Sequence, residues 1–167
     1  ILLLSPIIVI IRIFKNKEDK FRFKEKFCLI SKQRGSGKLV WFHGSSVGEI
    51  LSAIPIIKKY DKDRKIDQIL VTSSTLSSSK ILDKIKFKKT IHQFYPIDHI
   101  LFSKKFLDHW KPDVAIFLES EIWPSMFKSL KKRGIPLVLL NARVTNKTFK
   151  RWSKLKSFSR SIFNLIY

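Results

Sequence analysis

The sequence predicts an α/β fold in which an open parallel sheet carries helices on both faces. Two observations carry that prediction. From Leu39 onward, short β-rich runs alternate with helical stretches five times over, the signature of consecutive βα units. Within them, Ile69-Leu70-Val71 and Val114–Leu118 are continuously apolar, as strands buried on both faces should be. No internal repeat is visible beyond the βα period, and 167 residues suit a single domain of ordinary size.

The run Ile1–Ile11 is almost wholly apolar. It is shorter than the roughly 20 residues a bilayer-spanning helix needs. The chain starts at Ile and its sole Met is Met126, so the run is expected to be the end of a longer anchor. Arg12, Lys15, Lys17, Lys20, Arg22, Lys24 and Lys26 follow at once, which places this flank on the cytoplasmic side. A secretory signal is disfavoured because the positive charge follows the apolar run. Interleaved Phe14, Phe21, Phe23 and Phe27 suit a segment lying on anionic lipid. Residues 1–27 are therefore read as an anchor remnant with a basic flank, and residues 38–167 as the α/β domain.

Between them, Gln33–Lys38 is a turn-rich linker. It is not a phosphate-binding loop: Leu39 follows its Gly-Lys, and it precedes a strand. Strands are predicted at Leu39–His43, Gln68–Thr72, Ile91–Tyr95, Val114–Leu118 and Leu137–Leu140. Helices are predicted at Gly48–Tyr60, Leu76–Lys84, Leu101–Trp110 and Ile122–Arg133. Trp152, Leu155, Phe158, Ile162 and Leu165 fall at helical spacing, so Thr148–Tyr167 reads as one amphipathic helix. The chain stops inside it, and incompleteness at both ends is expected.

The net charge of +21 speaks to partners rather than to fold. Anionic membrane, anionic substrate and nucleic acid all remain open, although abundant Lys, Ile and Phe also fit an AT-rich coding bias. A single cysteine, Cys28, excludes an intramolecular disulfide and a thiolate metal cluster, and fits a reducing cytoplasm. The four histidines lack metal-ligand spacing, and no metal is expected.

In a sheet of this kind ligands bind beyond the carboxyl ends of the strands. After the first strand, His43-Gly44-Ser45-Ser46-Val47-Gly48-Glu49 opens a helix. Its glycines allow close backbone approach, and the helix start favours an anion. Glu49 also suits simple capping. The same loop fits G-x-S-x-G with Ser46 as the nucleophile of a serine hydrolase, without an evident downstream acid and histidine. After the second strand, Ser73–Ser79 carries six hydroxyls in seven residues, Ser74 and Thr75 among them. These can cap a helix or bind sugar and phosphate oxygens. Asp98 is a natural cap for the helix that follows it. After the fourth strand come Glu119 and Glu121, then Trp123-Pro124. An acid at the end of a buried strand costs free energy unless something holds it, so Glu119 is expected to be held; capping could use Glu121 but leaves Glu119 unexplained. After the fifth strand, Arg143 can pair with either carboxylate or receive a phosphate.

These segments together resemble the 3-deoxy-D-manno-octulosonic acid (Kdo) transferase family. The resemblance rests on Trp41–Glu49, the hydroxyl-rich Ser73–Ser79, Tyr95-Pro96-x-Asp98, Glu119-x-Glu121-x-Trp123-Pro124, and Gly134-Ile135-Pro136 with Asn141-Ala142-Arg143, in that order. Two departures occur: the hydroxyl loop is Ser-rich where the family favours Thr followed by Gly, and Gly44 stands where Ala is frequent. The resemblance implies the N-terminal, acceptor-binding half of a GT-B glycosyltransferase, a Rossmann-like domain whose nucleotide-binding partner domain is absent from this chain. It implies a CMP-Kdo donor and a lipid A precursor acceptor at the cytoplasmic face of the inner membrane, with no cofactor. It implies Glu49 as general base and Glu119 as the acid supporting the transition state. Ser46, Gly48, Ser74, Thr75, Glu121 and Arg143 are the expected substrate-binding set. The rival readings are a hydrolase using Ser46 and a basic nucleic-acid-binding protein, the latter without any recognisable binding motif.

Overall fold

The computed structural model of the chain describes residues 5–30 and 32–166. Five strands, β1 (Leu39–His43), β2 (Gln68–Ser73), β3 (Thr90–Phe94), β4 (Val114–Leu118) and β5 (Leu137–Leu140), form one sheet in the order β3-β2-β1-β4-β5. Every pairing is parallel, with β1 lying between β2 and β4. The order reverses between β1 and β4, so the crevice expected to receive a ligand opens at their carboxyl ends.

Alternation along β1 explains why the sheet is buried on both sides. Leu39 and Trp41 enter one core with Phe106, Trp110, Phe117 and Phe127. Val40 and Phe42 enter the other with Ile50, Ile57, Ile69 and Val71. The second core is covered by α2 (Val47–Lys62) and α3 (Leu76–Lys84), the first by α4 (Ile100–Trp110) and α5 (Pro124–Lys132). The expected sheet with helices on both faces is therefore present.

Three local expectations are corrected. The helix expected from Ile122 begins at Pro124, because a residue before proline is pushed toward extended backbone (Trp123 φ −122, ψ 91) and proline suits the first helical position. The single helix expected over Thr148–Tyr167 is two, α6 (Asn146–Ser153) and α7 (Lys156–Phe163); Tyr167 lies outside the described residues. The break lets Trp152 stack on Phe158, centroids 6.0 Å apart, and meet Phe163 at 5.5 Å. Residues six apart would not share a face of one continuous helix. Finally, Asp98 does not cap α4. His99 does so by accepting from Leu101 N, while the Asp98 carboxylate accepts from Ser125 N and Met126 N at 3.1 and 3.0 Å, capping α5 across the fold.

The N-terminal segment forms α1 (Ser5–Phe14) and a 3-10 helix over Arg22–Phe27; the first four residues of the apolar run lie outside the described residues. Among the described residues no helix is long and apolar enough to cross a membrane. Ile7, Ile8, Ile10, Ile11 and Phe14 of α1 are exposed. Three of the flanking cations pair with buried acids instead, Arg12 reaching Glu18 at 2.6 Å. Arg22 pairs with buried Glu25 at 2.8 Å and donates to the His92 carbonyl at 2.9 Å. Lys26 pairs with buried Glu18 at 2.6 Å and donates to the Ser74 carbonyl at 3.2 Å. The flank is thereby pinned to the β3 edge of the sheet, close to the strand-end loops.

Candidate active site

The carboxyl ends of β1, β2 and β4 converge on one hydrogen-bonded cluster. Ser46 caps α2 and Glu49 stands three residues on, in the first turn, so the pair forms a capping arrangement. The Ser46 hydroxyl donates to Glu49 Oε1 at 2.7 Å, and Ser45 N donates to Glu49 Oε2 at 2.8 Å. Each Glu49 oxygen therefore has one donor in place. The side chain remains partly exposed and can accept further hydrogen bonds from a bound molecule.

Ser45 also links this loop to β4. Its hydroxyl donates to Glu121 Oε2 and lies 3.1 Å from Ser74 Oγ. The same Glu121 oxygen accepts from Trp123 Nε1 at 2.9 Å and faces His43 Nε2 at 3.2 Å. A carboxylate only accepts, so His43 Nε2 carries the proton of that bond. His43 is fully buried at the end of β1, stacked 3.9 Å from Tyr95. Its Nδ1 lies 3.0 Å from Thr72 Oγ, and that hydroxyl oxygen accepts from Trp41 Nε1 at 2.9 Å. Burial acts to raise the Glu121 carboxyl, but the His43, Ser45 and Trp123 donors outweigh it and hold the group below its ordinary 4.5.

The expected site residues divide into two groups. Glu49, Ser46, Ser74 and Glu121 are joined through Ser45. Thr75 caps α3 by accepting from Ser78 N, and Ser78 Oγ reaches the Ser45 carbonyl at 3.5 Å. Gly48 is exposed, and a Cβ there would meet nothing within 4 Å, so space does not require glycine at that position. Gly44 is the tight one: a Cβ would lie 2.8 Å from Leu118 Cδ1 and 3.1 Å from Glu49 Cβ.

Glu119 and Arg143 are not paired. Glu119 stands in the left-handed region (φ 52), with its N–H on the Leu140 carbonyl and its side chain half-buried. Its carboxylate makes no hydrogen bond or ion pair among the described residues. The Arg143 side chain is exposed and likewise makes none, while its carbonyl accepts from Ser120 Oγ. The acid that the fold holds is Glu121, two residues on, because the left-handed turn at Glu119 carries the chain back toward β1.

Ser46 lacks the surroundings of a hydrolase nucleophile. Its backbone is extended (φ −101, ψ 164) rather than strained, and its hydroxyl is bonded to Glu49. Among the described residues no histidine bonds to it: His43 holds Thr72 and Glu121, His92 holds Arg22 and Ser73, His99 caps α4 and His109 reaches the Lys32 carbonyl.

Beside the cluster lies a mainly apolar cleft of about 460 Å3, lined by Lys26, Ser74, Tyr95, Asp98, Ile122 and Trp123 among others. Burial, followed by the charges of Asp98 and Glu121, pushes the Tyr95 hydroxyl well above its ordinary range. His43, Ser45, Tyr95 and Trp123 are the members that sequence reasoning did not single out as site residues. Ser45 was the detectable one, since it follows the strand directly while attention falls on Ser46 through G-x-S-x-G.

The sheet order and the ring of strand-end loops define a Rossmann-like domain. UDP-N-acetylglucosamine 2-epimerase superimposes on it with a TM-score of 0.52 at 16% identity, over 78% of this chain and 39% of that one. The UDP-GlcNAc 2-epimerase from Neisseria meningitidis bound to UDP-GlcNAc gives 0.51 at 15%, with the same coverage. These likenesses concern the fold alone. Sequence narrows the class. Residues 21–167 match the family described as 3-deoxy-D-manno-octulosonic-acid transferase. The transferase of that name from Rickettsia bellii is 42% identical over 163 residues, 96% of this chain and 39% of the relative. A probable mitochondrial one from Arabidopsis thaliana is 38% identical over 93% of this chain and 36% of its own length, and that of Haemophilus influenzae 27% identical over 76% and 30%. The chain belongs to the 3-deoxy-D-manno-octulosonic-acid transferase family, and it spans 39% of the length of the Rickettsia bellii relative.

Proposed function

We propose that the full-length protein transfers Kdo from CMP-Kdo to a lipid A precursor, with inversion, and that this chain forms its acceptor-binding half. The observation that carries the reading is Glu49, a partly exposed carboxylate at the carboxyl end of the central strand, oriented by Ser45 N and Ser46 Oγ. The acceptor hydroxyl attacks the anomeric carbon of Kdo while the bond to CMP breaks. CMP leaves with the electron pair, and the hydroxyl proton passes to Glu49. Because CMP is a good leaving group, the step needs no strong general acid. Positive charge develops on the sugar as in glycoside hydrolysis, and the half-buried Glu119 carboxylate stabilises it. The exposed Arg143 guanidinium is suited to a phosphate of the acceptor or donor.

The apolar face of α1 and the cations after it support attachment to the anionic cytoplasmic face of the inner membrane, where a lipid acceptor is presented. The excess of positive charge then serves lipid and phosphate rather than nucleic acid. The test is direct: full-length protein, CMP-Kdo and lipid A precursor in detergent, with the lipid product weighed by mass spectrometry. An increment of one or more Kdo units is expected. A lipid of unchanged mass would overturn the reading.

A further inference from the structure

We propose that His43 and Glu121 are a positioning pair for Glu49, acting through Ser45. The proposal rests on the reading of Glu49 as the base. Neither residue touches the Glu49 carboxylate. A continuous set of bonds instead runs outward from the sheet. Trp41 Nε1 holds Thr72 Oγ at 2.9 Å, Thr72 holds His43 Nδ1 at 3.0 Å, and His43 Nε2 holds Glu121 Oε2 at 3.2 Å. Glu121 Oε2 then takes the Ser45 hydroxyl, and Ser45 N–H holds Glu49 Oε2 at 2.8 Å. Trp41, Thr72 and His43 are all fully buried, so the inner end of the series cannot move without disturbing the core.

Two further observations favour a role beyond stability. A carboxylate among His43, Tyr95 and Trp123 carries a desolvation cost that a well-packed apolar side chain would avoid. Its three donors meet on a single oxygen, which fixes its direction. The second is the packing of Gly44. With Glu49 Cβ only 3.1 Å from where a Gly44 Cβ would stand, the loop lies directly against the base, and a shift of Ser45 passes to Glu49. Displacement of a catalytic group by about 1 Å lowers turnover on the order of 100-fold.

The experiment uses the full-length protein and four variants: Ser45→Ala, Glu121→Leu, the two combined, and Ser45→Thr. Each single loss is expected to lower kcat about 10- to 100-fold while KM for CMP-Kdo and for the lipid stays nearly constant. The double variant is expected to be no slower than the worse single one, since both break the same link. Ser45→Thr, which keeps the hydroxyl, is expected to retain most of the rate. Multiplying losses in the double variant, or a raised KM with unchanged kcat, would overturn the proposal. The Ser45 amide proton gives a readout independent of activity. Its resonance should move upfield in Glu121→Leu as the bond to Glu49 loosens, and a resonance that stays in place would overturn the positioning role. Wild-type protein without Kdo transfer would refute the proposed reaction, and the amide measurement would still decide the positioning.

Discussion

Replacing Glu121 with Leu should destabilise the fold by an amount that its partners set. Three donors lose their acceptor: His43 Nε2, Ser45 Oγ and Trp123 Nε1. The Ser45 hydroxyl can turn to Ser74 Oγ, 3.1 Å away, so its loss contributes little. Trp123 is half-buried, and water can replace part of its bond. His43 is 0% exposed and has no substitute. A buried donor left without a partner costs about 1–3 kcal/mol, so the sum is roughly 2–4 kcal/mol. For a chain of this size that corresponds to a fall in Tm of roughly 5–15 °C. Urea denaturation followed by tryptophan fluorescence reads it. The pH dependence supplies a second arm. The Glu121 carboxyl is depressed in the folded state, so the stability it contributes is complete above its ordinary value of 4.5 and is lost as pH falls through the lower folded value. The Leu variant should lack that portion of the acid sensitivity. A loss under about 0.5 kcal/mol, the level of an ordinary surface substitution, with an unchanged acid profile would refute the network.

Further outcomes follow from the same bonds. Asp98→Ala should cost about 1 kcal/mol by removing the cap of α5, and urea denaturation should show it, with hydrogen exchange rising first at Ser125 and Met126. Burial, then the charges of Arg22 and Lys32, lowers His92 from 6.5 to about 3. Its imidazole should stay neutral down to about pH 4 by NMR titration, and stability should decline as pH falls below 6.5 because the unfolded chain then takes up the extra proton. Burial pushes the Cys28 thiol up to about 12. Iodoacetamide should leave it unmodified at about pH 8 and label it once urea unfolds the chain.

The periodic part of the fold was legible in the sequence, and the tertiary part was not. β1, β4 and β5 lie where alternating and continuous apolar runs place them, because burial on both faces dictates those residues. The break between α6 and α7 was hidden, since Trp152 and Phe158 keep a helical rhythm while their stacking needs a bend. Asp98 reads as a local cap and acts as a distant one, a distinction that only the approach of α5 creates. Arg22 and Lys26 read as cations for a lipid surface, yet buried Glu25 and Glu18 draw them inward.

The site shows the same division. Strand-end reasoning brought Glu49, Ser74 and Glu121 to one end of the sheet. It pointed to Glu119 as the acid that must be held, whereas the structure holds Glu121. That choice depends on the left-handed backbone at Glu119 and on His43 facing across from β1, neither of which has a local signature. Ser45 was masked by its neighbour Ser46, because motif spacing favours one serine and hydrogen-bond geometry the other.

Glu49→Ala in the full-length protein, assayed for Kdo transfer alongside Glu119→Ala and checked for folding by circular dichroism, tests the central claim most directly. Transfer should be abolished in a normally folded Glu49→Ala variant, with Glu119→Ala slowed but still binding the lipid. Substantial transfer by folded Glu49→Ala would contradict the assignment of the base.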